Sequence, residues 1–153
     1  MGFQLSKNFE DELEEQIRNQ AIECGRIITN AMKEKYLSLI EDYYNKYIPV
    51  RYNRRGQLKD SFIELLDDDG ESIIAGIKIS ADRMSMYEEK RKNGKVHTFS
   101  PQRLLDKYVI FGDNPPYFTY HGGDWHGGYG EKADTHIYQE MKAFRKEILN
   151  SMK

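Results

Sequence analysis

The stretch Tyr47-Ile-Pro-Val-Arg-Tyr-Asn-Arg-Arg-Gly-Gln-Leu-Lys-Asp-Ser-Phe62 decides how the chain is read. A long helical pattern runs into it, and the first strand pattern comes out of it. Pro49 stops a helix because it lacks an amide hydrogen, and its ring pushes Ile48 toward extended backbone. Arg54-Arg55-Gly56 reads as a turn in which Gly56 is free to take a positive φ. Arg51, Arg54, Arg55 and Lys59 make the corner basic.

Upstream, residues 1–7 read as a short arm and Asn8 as a helix cap, with Asp11 in the first turn where negative charge suits the helix dipole. Apolar or aromatic residues recur at Phe9, Leu13, Ile17, Ala21, Cys24, Ile28, Met32, Tyr36, Leu39 and Tyr43. Steps of three and four predict one helix over 8–48, roughly 55–60 Å long if unbroken. Such a helix lies on its own sheet or projects onto a neighbouring subunit, and Gly25 is a candidate bend. Cys24 falls among the apolar positions, so a buried, inert thiol is expected.

Downstream, Phe62, Ile63, Leu65 and Leu66 lead to Asp67-Asp68-Asp69-Gly70, where Asp-Gly is a hairpin signal. Ile73, Ala75, Ile77 and Ile79 then alternate with Ile74, Gly76 and Lys78. An antiparallel hairpin over 61–80 is predicted, one face on the long helix. The charged run over 81–98 reads as a solvated loop or helix end. Ser100-Pro101 starts a short helix over 101–107, with serine as cap and proline at the first helical position. Tyr108-Val-Ile-Phe111 reads as a third strand. Residues 117–130 hold five glycines among aromatic residues and two histidines, a composition unsuited to regular structure. Asp134 can cap a last helix over 134–152, with Ile137, Met141, Phe144 and Ile148 on one face. The expected fold is α+β in a single domain, 1–153: long N-terminal and C-terminal helices packed on a small, mainly antiparallel sheet, with a short third helix.

Ile, Leu, Val and Phe together are about 22% of the 153 residues, so the core is lean, while eleven tyrosines suit interfaces as well as interiors. That combination favours an obligate oligomer. A net charge of −2 argues against a general nucleic-acid binder, so any positive surface is a local patch. One cysteine excludes an internal disulfide and any multi-cysteine zinc site. No apolar run is long enough to span a membrane, and the N-terminal residues lack the apolar stretch of a signal peptide. The reading is a protein made and kept inside a cell, or released by lysis.

For chemistry, His121, Asp124, His126 and His136 are ligand types suited to zinc or a non-haem metal, but without the helical i, i+4 spacing that makes such a signature specific. The competing reading is a docking loop of Tyr117, Tyr120, Trp125, His126 and Tyr129, because buried Trp and Tyr dominate interface energetics. No serine has a nucleophile-elbow context and no phosphate-binding loop is present. The reading is a non-enzyme without metal or cofactor; a metal-dependent enzyme using the His121/His126 loop and a small intracellular binding or toxin-like module are the alternatives. The basic corner and the acidic tip Asp67, Asp68, Asp69 read as two solvated hairpin ends or as a head-to-tail subunit contact; a third reading sets the arginines against DNA phosphates.

At this corner the sequence resembles the tail-completion, or head–tail joining, proteins of tailed bacteriophages. A long helix ends at a proline-containing turn. The family's Arg-Thr-Gly-x-Leu-x-x-Ser segment is matched by Arg54-Arg55-Gly56-Gln57-Leu58-Lys59-Asp60-Ser61. Its Tyr-x-x-Phe-Gly segment is matched by Tyr108-Val-Ile-Phe-Gly112. Arg55 stands in place of the usual threonine, and the family's Ala-Arg-Pro-Phe-type segment is replaced by the Gly/His/Trp loop. The resemblance implies a structural virion protein without catalytic residues. It implies a homo-oligomeric ring, sixfold or twelvefold, between the head connector and the tail, with adjoining connector and tail proteins as partners and a channel for DNA.

Overall fold

The computed structural model describes residues 7–48, 56–90, 93–106, 109, 129–130 and 137–153, with backbone alone at 46–48, 87, 89–90, 97, 99 and 129–130. Helix α1 runs Lys7–Lys46 without a break and hands over to a two-residue strand β1, Tyr47–Ile48. A 3-10 turn, Gln57–Asp60, leads into β2, Phe62–Asp68, and β3, Ile73–Ile79. A second hairpin, β4 (Tyr87–Lys90) and β5 (Val96–Phe99), precedes the short helix α2, Pro101–Leu105. Strand β6 is Tyr129–Gly130, and helix α3 is Ile137–Ser151. The strands form three two-stranded antiparallel sheets, β1-β6, β2-β3 and β4-β5. The α+β architecture with long terminal helices and a short third helix is as the sequence predicts.

The β2-β3 hairpin pairs Phe62 with Ile79, Glu64 with Ile77, Leu66 with Ala75 and Asp68 with Ile73. Alternation along each strand sends these side chains to one face. That face meets α1: a Cβ built at Gly25 would lie 2.9 Å from Leu66 Cδ1 and 3.2 Å from Ala75 Cβ. Gly25 therefore lets helix and hairpin approach closely, and the helix continues through it. Ion pairs flank the seam, Lys33 Nζ to Glu64 Oε1 at 2.5 Å and Arg18 to Asp68. The core lies lower down, where Tyr36, Ile40 and Tyr43 of α1 pack with Leu58, Phe62, Met84, Leu105, Val109, Ile137 and Met141. Burial of these apolar and aromatic groups is the main stabilising term available to so lean a chain.

Five local expectations are corrected. Cys24 is exposed, not buried, because Gly25 takes the hairpin-facing position. The run over 81–98 holds the β4-β5 hairpin, reversed at Asn93-Gly94, with Gly94 at φ 77°; Asn-Gly favours such a reversal, since both residues tolerate positive φ. Val109 is helical and fully buried, where a strand was expected. The long helix yields to extended backbone at Tyr47, two residues before its predicted end. Tyr129–Gly130, at the end of the glycine-rich stretch, is an ordered strand pair with β1. Ser100 caps α2 as expected, its Oγ accepting from the Arg103 amide at 3.3 Å. Lys7, expected in the arm, already belongs to α1; residues 1–6 of the arm, Asp134, and residues 108 and 110–112 of the expected strand and its following glycine lie outside the described residues.

Candidate functional site

Three surfaces carry the residues that the sequence singles out. The first is the corner. Gly56 sits in the left-handed region at φ 73°, which a side chain disfavours, and opens the 3-10 turn. Leu58 plunges into the core, and its amide donates to the Tyr44 hydroxyl at 3.1 Å. Ser61 is fully buried; its Oγ donates to the Leu58 carbonyl at 2.6 Å and lies 2.5 Å from the Tyr36 hydroxyl. Since Ser61 spends its hydrogen on Leu58, Tyr36 is the donor in that pair. Burial pushes the Tyr36 phenol up to about 12. The Tyr36 ring meets Phe62 edge-on at 5.6 Å. Gly56 thus opens the turn, while Leu58 and Ser61 hold α1 to the start of β2.

Lys59, exposed on the same turn, pairs with Glu41 of α1 at 3.1 Å. Arg51, Arg54 and Arg55 lie outside the described residues, as do Tyr117, Tyr120, His121, Asp124, Trp125, His126 and His136; Tyr129 is described in its backbone alone.

The second surface is the hairpin tip, about 20 Å from the corner along β2. Asp67, Asp68 and Asp69 are all exposed there. The Arg18 guanidinium engages both oxygens of Asp68, with Nε to Oδ2 at 2.8 Å, and its Nη1 donates to the Gly70 carbonyl at 2.9 Å. Hydrogen bonding by Arg18, and then by the Gly70 amide, holds the Asp68 carboxyl below the usual carboxylate range. Asp69 is lowered by the Ser72 and Glu71 amides, which close the turn at 2.7 and 2.9 Å. Asp67 accepts from the Asp68 amide at 3.0 Å. The sequence reading missed Arg18, whose guanidinium ties the tip to α1. Within one chain the structure does not bring Lys59 and the acidic tip together.

The third surface was not anticipated. Phe9, Leu13 and Ile17 of α1 are 48%, 42% and 58% exposed, and Ile27 is exposed as well. At about 100° per residue, each step of four rotates the stripe by about 40°. The positions from Gly25 to Tyr43 that face the hairpin and core therefore lie on another side of the helix from Phe9 and Leu13. The apolar pattern is two faces, one used inside the chain and one turned outward.

No protein-family model, curated protein or solved structure matches the chain. Among the described residues, no helix is long and apolar enough to cross a membrane.

Proposed function

We propose that the chain is a structural protein of a bacteriophage neck, a virion component that joins the head connector to the tail. It assembles as a closed ring of sixfold or twelvefold symmetry and leaves a channel for DNA. The likeness to tail-completion proteins supports this reading, and its key residues Gly56, Leu58 and Ser61 are those that build the corner. The observation that carries it is the outward apolar face of α1, formed by Phe9, Leu13 and Ile17 on a helix of 40 residues. Apolar side chains in a row on an exposed helix gain free energy only by burial against another surface. A lean internal core makes that external burial a larger share of the total. The mechanism is mechanical: copies pack side by side, loops dock on the adjoining connector and tail rings, and DNA passes through the centre.

Light scattering and negative-stain microscopy of the purified chain at micromolar concentration, alone and mixed with the proteins encoded beside it, test the reading. Rings in either condition are expected. A monomer in both overturns it.

A further inference from the structure

We infer that the contact between neighbouring copies is a helix pair, the outer face of the first half of α1 on one copy against the basic face of α3 on the next. The inference rests on the ring reading above and names the surfaces that make the ring.

The two faces are complementary in both charge and polarity. Glu10, Glu12 and Glu14 flank the stripe of Phe9, Leu13 and Ile17, about 60–100° around the axis from its centre, whereas Asp11 and Glu15 lie on the far side of the helix. Helix α3 packs inward through Ile137 and Met141, which are buried, and Phe144 and Ile148, which are half-buried. Helical geometry sets Arg145, Leu149, Lys142 and Lys146 about 70–170° around the axis from that packed face. Glu140 and Glu147 fall on the opposite flank. The exposed side of α3 is thus a basic surface with Leu149 at its centre, 51% exposed, and Met152 beside it. Lys142 is already held in place, its Nζ 4.8 Å from the centroid of the Tyr138 ring. Both faces are turned outward in one chain, so they meet across a chain boundary.

A second α1 is the poorer partner. Parallel pairing through this stripe sets Glu10, Glu12 and Glu14 beside the same three residues, and like charges across an interface repel. The two contact types also differ in symmetry. A face that pairs with itself stops at a dimer, whereas two unlike faces repeat head to tail and form a ring when the rotation between copies closes. The α1–α3 pairing therefore supplies the geometry that the proposed function requires.

Two charge-reversed chains test it: Glu10→Lys/Glu12→Lys/Glu14→Lys and Lys142→Glu/Arg145→Glu/Lys146→Glu. All six positions are exposed, and circular dichroism checks that each chain remains folded. Each triple variant should associate at least tenfold more weakly than the wild type. An equimolar mixture, or one chain carrying both sets, should recover assembly. Leu13→Ala with Ile17→Ala, which leaves charge untouched, should also weaken it. If the wild type forms rings and both triples assemble equally well, the α1–α3 contact is overturned and the ring reading stands. If the wild type stays monomeric alone and with the proteins encoded beside it, both fall together.

Discussion

Thr29 on α1 and Gly76 on β3 are joined by a hydrogen bond that puts a helix side chain where a strand partner belongs. The Gly76 amide donates to Thr29 Oγ1 at 2.9 Å, and that hydroxyl donates on to the Leu65 carbonyl at 2.9 Å. Leu65 and Gly76 are register partners in the hairpin. One hydroxyl thus bridges the two strands and fixes the helix against them.

Thr29→Val keeps the shape of the side chain and removes both bonds. It leaves the Gly76 amide and the Leu65 carbonyl short of a partner at a site where Thr29 is 4% exposed. The expected cost is about 2–3 kcal/mol in urea unfolding, because an unsatisfied buried polar group loses its full desolvation term. Thr29→Ser retains the hydroxyl and should recover most of that loss. Equal stability of Val and wild type would remove the bridge from the account.

Gly76 itself stands at φ 139°, and a Cβ there would lie 3.2 Å from Met32 Sδ. Gly76→Ala is expected to cost about 1–3 kcal/mol, since strained backbone in this region is nearly exclusive to glycine. Adding Met32→Ala makes room for the methyl group but leaves φ unchanged. The double variant should therefore remain less stable than Met32→Ala alone in thermal unfolding.

The hairpin was legible because Ile73, Ala75, Ile77 and Ile79 alternate and Asp-Gly marks the turn. The corner was legible from Pro49 and Gly56. The two uses of α1 were not separated, because a run of four-residue steps looks like one stripe until the rotation of each step is added up. The position of Cys24 failed for the same reason: its neighbour Gly25 has no side chain, so hydrophobic periodicity cannot register it as the contact residue. The β4-β5 hairpin was hidden by charge over Glu88–Lys95, although Asn93-Gly94 marked its turn. Of the expected interface residues, Lys59 and the three tip aspartates are placed; the bond from Arg18 to Asp68 is a long-range pairing that no local pattern announces.

Tyr36 gives the fold a limit at high pH. Its phenol titrates near 12 in the folded chain, against about 10 when exposed. The neutral form is the one the core accepts, so its contribution is intact below pH 10. Between pH 10 and 12 the unfolded chain loses this proton while the folded chain keeps it, and stability falls by about 2–3 kcal/mol. The difference in unfolding free energy between wild type and Tyr36→Phe, followed from pH 9 to 12, isolates this term from the other tyrosines. A difference that does not change with pH would contradict it.

At the hairpin tip the sign is reversed. The Asp68 carboxyl is held low by Arg18, so the contribution of that pair is present above the ordinary carboxylate range. It is lost as pH falls through the lowered folded value. Carboxyl titration by nuclear magnetic resonance should place the Asp68 midpoint below the ordinary carboxylate range. Arg18→Ala should raise that midpoint, with a smaller rise at Asp69, whose lowering comes first from the Ser72 and Glu71 amides. An unmoved Asp68 midpoint in Arg18→Ala would mean that solvent screens the pair completely.

Charge reversal at the basic corner separates assembly from folding. Lys59 is paired with Glu41 on the surface, and the corner's structural bonds run through Leu58, Ser61, Tyr36 and Tyr44. Arg54 and Arg55 precede those residues in sequence. Arg54→Glu with Arg55→Glu is therefore expected to leave unfolding within about 0.5 kcal/mol of wild type, the usual range for surface substitutions. If the arginines face the acidic tip of a neighbouring copy, the same pair of changes turns attraction into repulsion and weakens association at least tenfold, most visibly at low salt. If they face DNA in the channel, rings form normally and salt-dependent retention of duplex DNA is lost instead. Sedimentation velocity of the double variant, with and without a short duplex, separates the two. Normal rings with unchanged DNA retention would return Arg54 and Arg55 to the solvated surface.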